Sequence, residues 1–288
     1  MRDFVISTDS TADLSKAYIE EHNILIHPLH YIIDQTEYGA DISELPSKEF
    51  YQRIRNGLMP TTSATNPAYI MNLMKEQTDK GFDILHISFS SALSCSHGNA
   101  MFCAQNIMDE AQDTKIIVVD SLSASVGQGL MVYKAVEMKK NGYTIMEIAK
   151  WIDEHKQKFA IQFMVDDLFH LVRGGRLSKT KATVGSVLQI KPLLYVDDCG
   201  KLSTMGKARG RKKALNVLAD NIGRKEKQVK LDIVFISHAD CIEDAQYLAN
   251  QIKNKYNIGN IMINEISPTI GAHTGAGAVV VSYYTDGR

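Results

Sequence analysis

Cysteine is scarce in this 288-residue chain, which has four, at positions 95, 103, 199 and 241. No two of them form a CxxC pair, and this scattering argues against a zinc site or a disulfide framework. Such thiols suit a reducing compartment, so we expect a cytoplasmic protein. The N-terminus lacks the layout of a signal peptide, and no apolar run approaches the roughly 18 residues of a membrane span. We therefore expect no stable membrane insertion.

The motifs of several enzyme classes are also missing. The chain has no GxxxxGK[ST] loop, no GxGxxG after the first strand, no GxSxG elbow and no HExxH, which argues against a P-loop kinase, a dinucleotide-binding fold, a serine hydrolase and a zinc protease. His27 and His30 lie three apart on a predicted strand, hence on opposite faces, and make poor co-ligands. We therefore expect no metal and no cofactor. The net charge of -1 offers no broad attraction for nucleic acid, so none is expected as a partner.

What the chain does have is a regular alternation of strand-like and helix-like segments. In the first half, strands are predicted at Phe4–Ser7, Asp83–Phe89 and Lys115–Val119, with helices at about Ser96–Gln112 and Ala124–Asn141. This alternation predicts βαβ units and a parallel sheet.

Two further segments of the first half are predicted in more detail. The segment Asp13–His22 is predicted as a helix. Ile24–Ile33 is predicted as one β-rich segment, with Pro28 marking an edge strand or a bulge.

The second half has a less regular spacing of predicted strands, because the helices between them vary in length. The strands are predicted at Phe159–Val165, Pro192–Val196, Leu231–Ser237, Ile261–Ile266 and Ala278–Tyr284. A boundary at the end of the Trp151–Lys158 segment gives two predicted α/β domains, 1–157 and 158–288. The last segment is expected to pack back toward the first domain.

Small polar clusters fall where a ligand of an open α/β sheet would bind, outside the carboxyl ends of the strands. They are Thr8–Thr11, Thr61–Ser63, Ser88–Ser96 and Asp120–Ser121. Hydroxyls and free amides at a helix N-terminus can bind an anion, and simple helix capping is the plain alternative.

Three other segments carry groups that suit an anion. Ile270–Ala278 reads as a glycine-rich loop around His273 and Thr274, or as an ordinary turn. Arg173–Ser178 places two arginines beside paired glycines, as an anion clamp or a surface turn. Lys207–Lys213 is a basic patch that fits a solvated helix face, an acidic protein or a phosphorylated ligand.

Taken in order, these motifs resemble the DegV family of fatty-acid-binding proteins. The segments that carry the resemblance are Ile6–Leu14, Pro28–Leu29 with Tyr38–Ile42, Thr61–Pro67, Ser90–Ser96, Val119–Ser121, Gly174–Leu177, Ile190–Leu194 and Gly271–Gly277. They run through the whole chain. Three residues depart from the family pattern: Cys95 and Ser96 replace a usual Gly-Thr pair, and His97 replaces a common aromatic residue. These differences affect the expected identity of the ligand more than the expected fold.

The resemblance implies two α/β domains, the first with a parallel sheet and the second with a mixed sheet, and a fatty-acid tunnel between them. It implies that Thr62 and Ser94 hold the carboxylate with His273 nearby, and we add Ser63, Cys95 and Thr274 as neighbouring ligand-binding residues. It also implies a separate ATP-dependent kinase that phosphorylates the bound fatty acid for phospholipid metabolism. Arg176 and Arg209 would serve the phosphate or the docking of that kinase.

On this interpretation the chain is a lipid carrier and not itself an enzyme. The alternative is a stand-alone small-molecule kinase or acyl hydrolase that uses His273 as general base. A DNA-binding regulator that uses the basic stretch Lys201–Lys213 is a third possibility, which the near-neutral net charge disfavours.

Overall fold

The computed structural model describes residues 2–39, 45–178, 189–222 and 230–285. Residues Ala40 to Ile42, the end of one motif of the family resemblance, lie outside these ranges. The strands are β1 Phe4–Asp9, β2 Leu25–His27, β3 His30–Ile33, β4 Thr36–Tyr38, β5 Thr61–Ser63, β6 Asp83–Ser88, β7 Ile116–Asp120, β8 Phe159–Met164, β9 Ile190–Val196, β10 Leu202–Arg209, β11 Lys230–His238, β12 Asn257–Glu265 and β13 Val279–Tyr284. The helices are α1 Lys16–Glu21, α2 Ser47–Arg55, α3 Pro67–Asp79, α4 Ser96–Glu110, α5 Ser125–Lys140, α6 Ile145–His155, α7 Phe169–Arg173, α8 Arg211–Asn221, α9 Ile242–Lys255 and α10 Pro268–Thr274.

The first half builds the predicted parallel sheet, with strand order β2-β1-β6-β7. All six residues of β6 are buried, as expected of a strand covered on both faces. The helices predicted after β6 and β7 are α4 and α5, within two residues of the expected ends.

The β-rich segment Ile24–Ile33, in which Pro28 was expected to mark an edge strand or a bulge, contains two strands. It divides at Pro28-Leu29 into β2, the edge of the parallel sheet, and β3, the centre of a small antiparallel sheet with order β4-β3-β5. Proline has no amide hydrogen for a strand ladder, so the chain leaves one sheet there and enters another. The polar cluster Thr61–Ser63, which we expected outside the strand ends, is itself strand β5 of this small sheet.

Helix α1 is shorter than predicted because Asp13 adopts a left-handed backbone (φ 49°) and ends a 3-10 turn. Ser15 caps α1 by accepting a hydrogen bond from the Tyr18 amide. The buried Asp13 carboxylate accepts hydrogen bonds from the Ser125 hydroxyl and, at 2.9 Å, from the Ser267 amide. It therefore ties the start of the chain to the segment before α10.

The second half forms the mixed sheet, with order β10-β9-β8-β13-β11-β12, in which β11 and β12 are parallel. Four of the five predicted strands lie within two residues of their expected ends, and β12 begins four residues earlier than predicted, at Asn257. Strand β10 was not predicted. Strand β10 is an edge strand in which four of the eight residues are exposed and only two are buried, with a register shift between Thr204 and Gly206. It lacks the buried alternation on which strand prediction relies.

Helix α5 lies between the two large sheets and packs against β1, β6, β8, β11 and β13. Its buried residues occur on every side of the helix, from Ser125 to Val136, as in a helix enclosed by protein. Gly127 and Gly129 allow the close approach, because a Cβ would overlap the Ser123 hydroxyl at the first position and the Ala12 carbonyl at the second.

Strands before residue 158 belong to the parallel sheet and the small sheet, and strands after it belong to the mixed sheet. Helices α5 and α10, however, each contact elements from the other half of the chain. The division into domains at 157 and 158 stays a prediction. Among the helices in the described ranges, none is both long and apolar enough to cross a membrane.

We expect the Gly129→Ala variant to be less stable by about 1–3 kcal/mol, because the added methyl group must displace the Ala12 carbonyl or α5. Gly98→Ala is the matched control, since Gly98 lies in helix α4 and its added Cβ meets nothing within 4 Å. The control should be neutral or stabilised by up to ~1 kcal/mol. Urea unfolding of the two variants measures the difference, and equal stabilities would contradict the close packing of α5.

Candidate functional site

A cavity of about 240 Å³ lies between the strand ends of the parallel sheet and the mixed sheet. A single water needs only about 10–15 Å³ of such space, so the cavity is large enough for an extended ligand. Most of its wall is apolar and comes from both halves of the chain: Leu29, Phe89, Leu93, Ala124, Ile161, Phe163, Leu171, Val196, Leu202, Ile270 and Val280. An apolar body therefore fits its interior.

Seven of the eight predicted site residues line this cavity: Thr62, Ser63, Ser94, Cys95, Arg176, His273 and Thr274. The exception is Arg209, which is exposed at the end of β10 and outside the cavity lining. The polar residues come from four separate parts of the chain, and only the fold brings them together.

Thr62 and His273 are in direct contact, with 2.8 Å between the hydroxyl oxygen and Nε2 of the imidazole. If Nε2 carries the ring proton, it donates to the Thr62 oxygen, and the Thr62 hydroxyl can then donate into the cavity. In the other tautomer the hydroxyl donates to the ring. The Nε2–H tautomer is thus the one that offers a donor to an anion.

Burial, together with the smaller effect of the positive charges of Arg176 and Arg173, lowers the pKa of His273 to about 4. The imidazole is therefore neutral at pH 7. The Nδ1 atom is buried and has no hydrogen-bond partner among the described residues. Within the described part of the chain no carboxylate orients this ring, in contrast to the base of a catalytic triad.

Ser94 is positioned by the start of helix α4. Its hydroxyl accepts from the Ser96 amide at 3.2 Å and shares a 2.7 Å hydrogen bond with the Ser96 hydroxyl. When Ser96 is the donor of that bond, the Ser94 hydroxyl is free to donate to a ligand. The Ser94 amide is not available to a ligand, because it donates to the Ser90 carbonyl at 3.2 Å.

The arginines of the Arg173–Ser178 segment join loops around the cavity instead of extending into solvent. Arg173 donates to the Pro60 carbonyl at 2.7 Å, next to β5. Arg176 donates to the carbonyls of Leu93 and Gly174, at 3.1 and 2.7 Å. Burial lowers the pKa of Arg176, but a guanidinium stays protonated in proteins, so the polar end carries a fixed positive charge.

The other predicted residues contribute less directly. The Ser63 hydroxyl donates to Glu37 at 2.9 Å, and the Thr274 hydroxyl to the Gly275 carbonyl at 3.3 Å. Cys95 is an exposed free thiol at the start of α4. These three residues form part of the wall, while Thr62 and Ser94 offer the hydroxyl donors.

The predicted glycine-rich loop around His273 is wrong in its first part, because Pro268–Thr274 is helix α10. Gly271 lies inside this helix and against the Tyr51 ring, where a Cβ would come within 2.8 Å of Cε1. Tyr51 donates to the Ile266 carbonyl at 2.8 Å. Close helix packing therefore explains this glycine, and it places His273 at the cavity.

Gly174 also contacts His273, a role that was not predicted. An added Cβ would overlap Nδ1 of the imidazole and lie 2.7 Å from Cε1. The paired glycines suggest a turn, and nothing in the sequence connects them with a histidine 99 positions later. The absence of a side chain at Gly174 makes room for the His273 ring.

Comparison with known proteins agrees with this architecture. The family model described as "Uncharacterised protein, DegV family" matches residues 3–286. A DegV domain-containing protein of Clostridium perfringens is 42% identical over 287 residues, covering 99% of both chains. One of Lactococcus lactis is 34% identical, covering 96% of both.

Solved structures have the same fold. A DegV lipid-binding protein of Thermotoga maritima has a TM-score of 0.88 at 28% identity, covering 99% of each chain. DegV of Bacillus subtilis, a fatty-acid-binding protein, has a TM-score of 0.85 at 30% identity, covering 99% of this chain and 100% of its own. With a family match over nearly the whole chain and a relative at 42% identity, this protein belongs to the DegV family.

Proposed function

We propose that the protein binds a long-chain fatty acid, with the acyl chain in the cavity and the carboxylate at Thr62, Ser94 and His273. The observation that carries the proposal is a mostly apolar cavity whose lining also includes the Thr62 and Ser94 hydroxyls, His273 and Arg176. Each buried CH₂ group contributes about 0.8 kcal/mol, so the acyl chain supplies most of the affinity. Fatty-acid binding by the Bacillus subtilis protein and by a Thermotoga maritima relative supports it.

The polar end suits a carboxylate in particular. A carboxylate that loses its hydration needs several hydrogen-bond donors, because an unpaired buried charge is costly. The hydroxyls of Thr62 and Ser94 can both donate, and the guanidinium of Arg176 adds positive charge beside them. Ser63, Cys95 and Thr274 would complete the wall around the head group.

A stand-alone hydrolase is the second candidate, because Thr62 and His273 are close enough to act as nucleophile and base. Two observations disfavour it. A pKa of about 4 makes His273 a weak base at pH 7. In addition, Nδ1 of the ring has no hydrogen-bond partner among the described residues that would orient it as a base.

We further propose that the bound carboxylate is presented to a separate ATP-dependent kinase in the cytoplasm, and that the acyl phosphate enters phospholipid metabolism. The family resemblance and the absence of a nucleotide-binding motif from the sequence motivate this step. Arg209 is exposed and away from the cavity wall, which suits contact with a partner, whereas Arg176 lies beside the head group. The exposed free thiols Cys95 and Cys199 suit a reducing compartment.

We expect Thr62→Ala and Ser94→Ala each to weaken fatty-acid binding by roughly 10–100-fold, the cost of one hydrogen bond to a charged group. Thr61→Ala and Ser91→Ala are matched controls, because both residues are exposed neighbours outside the cavity lining. Native mass spectrometry of gently purified protein and titration with a fluorescent fatty acid measure the effect. Absence of lipid from wild type, with all four variants equal, would overturn the binding proposal.

We expect Gly174→Ala to weaken fatty-acid binding by roughly 10-fold, because the methyl group displaces the His273 ring and breaks its hydrogen bond to Thr62. Backbone strain is not the cause, since the φ of Gly174 is -72°. Gly98→Ala is the control, and far-UV circular dichroism checks that both variants fold. Normal affinity of a folded Gly174→Ala variant would show that the orientation of His273 is unimportant for binding.

The kinase step can be tested with ATP, a candidate kinase and hydroxylamine, which traps an acyl phosphate as a hydroxamate. We expect product only when the lipid-loaded protein and the kinase are both present. Arg209→Ala should lower the rate while lipid affinity is unchanged, and Lys253→Ala, which removes an exposed charge on α9, should not. Hydroxamate formation by the isolated protein with ATP would favour a self-sufficient enzyme.

A further inference from the structure

A second group of titratable side chains lies inside the parallel sheet, apart from the cavity. Asp9 on β1, His27 on β2 and His86 on β6 are at most 2% exposed. One ligand-type atom from each lies within 4.8 Å of the other two. Two imidazoles and a carboxylate form the donor set of many zinc sites.

Each of the three side chains has a ligand atom without a hydrogen bond. Both ring nitrogens of His27 and Nε2 of His86 are buried and have no partner among the described residues. Asp9 uses Oδ2 to accept from the amide of Phe89 at 2.5 Å and the side chain of Gln128 at 3.2 Å. The other oxygen, Oδ1, lies 3.8 Å from Nε2 of His86, too far for a hydrogen bond.

The outer contacts orient two of these groups as they would be oriented around a metal. Nδ1 of His86 lies 2.9 Å from the Ser7 hydroxyl, and if Nδ1 donates there, Nε2 has a free lone pair that faces Asp9. Histidine ligands commonly donate the second ring N–H in this way. The bonds from Phe89 and Gln128 likewise hold the carboxylate with Oδ1 available.

The geometry requires one adjustment, and His27 can make it. The rings of His27 and His86 are stacked, 4.2 Å apart and inclined by 18°, so their lone pairs do not converge on one point. Because neither nitrogen of His27 has a hydrogen bond, its ring can rotate without breaking one. The 3.8 Å separation of Asp9 and His86 is within about half an ångström of the spacing of two ligands at ~2.0–2.1 Å from a tetrahedral zinc.

We propose that Asp9, His27 and His86 form a binding site for one zinc ion, with Ser7 as a positioning residue that orients the His86 ring. A fourth ligand would be a water molecule. His27 lies on β2, the edge strand of the sheet, so local opening of this strand gives the ion access. The bound ion would join β1, β2 and β6 beside Thr11 and Phe89, two residues of the cavity wall.

The test uses full-length protein without a polyhistidine tag, freed of metal by chelation. Elemental analysis after addition of zinc and gel filtration should give about one zinc per chain, and cobalt should give a visible d–d absorption band. Zinc at about 100 times its dissociation constant should raise the melting temperature by roughly 4–8 °C.

The variants locate the site. Asp9→Asn and His27→Leu, which keep the shape of the buried side chains, should each weaken zinc binding by at least ~10-fold, and Ser7→Ala by roughly 10-fold. His30→Gln is the matched control, because His30 lies on neighbouring β3 beside Glu37, at 3.2 Å, and belongs to no buried cluster. It should bind zinc like wild type.

Two results would overturn the proposal. One is folded wild-type protein that retains no zinc and shows no change in melting temperature, which would leave the three side chains around a water molecule or a shared proton. The other is zinc binding that Asp9→Asn and His27→Leu do not alter while circular dichroism shows both folded, which would place the ion elsewhere. Neither result bears on fatty-acid binding.

Discussion

The burial of α5 between two sheets is the constraint on which the rest of the structure depends. A helix enclosed on all sides must satisfy its polar groups internally, and Gln128 does so with Thr8, Thr11, Asp9 and the Ile87 carbonyl. These bonds hold the ends of β1 and β6 against the helix. Because α5 also packs on β8, β11 and β13, it sets the separation of the two sheets, and the cavity occupies the space beside its N-terminus.

The polar end of the cavity follows from the same arrangement. Thr62 belongs to a small sheet of the first half, and His273 to the short helix between strands β12 and β13 of the mixed sheet. The hydrogen bond between them therefore joins the two halves of the chain. Arg173 and Arg176 strengthen this junction by donating to carbonyls of neighbouring loops. The result is a neutral imidazole, free hydroxyls and a guanidinium, a combination that suits binding of an anion better than transfer of a proton.

Much of the fold could be predicted because the relevant signals are local. Buried parallel strands such as β6 are short apolar runs, and α4 and α5 fall between them at the expected spacing. Strand β10 was missed because an exposed edge strand carries no such pattern, and α10 was taken for a loop because glycine usually breaks helices. Helix α10 has a glycine at position 271 because the Tyr51 ring occupies the space that a side chain would fill. The two residues in this contact are 220 positions apart.

The sequence by itself determined the alternation of elements, the choice of candidate polar site residues and, through ordered motifs, the family. These properties lie in short segments, where residue type and spacing are sufficient. Only the tertiary structure decided that seven of eight predicted site residues share one cavity, that His273 is neutral and needs Gly174 to be glycine, and that Asp9, His27 and His86 meet inside one sheet. Distances, burial and pKa values depend on which distant segments are packed together, and the spacing of residues along the chain carries no record of that.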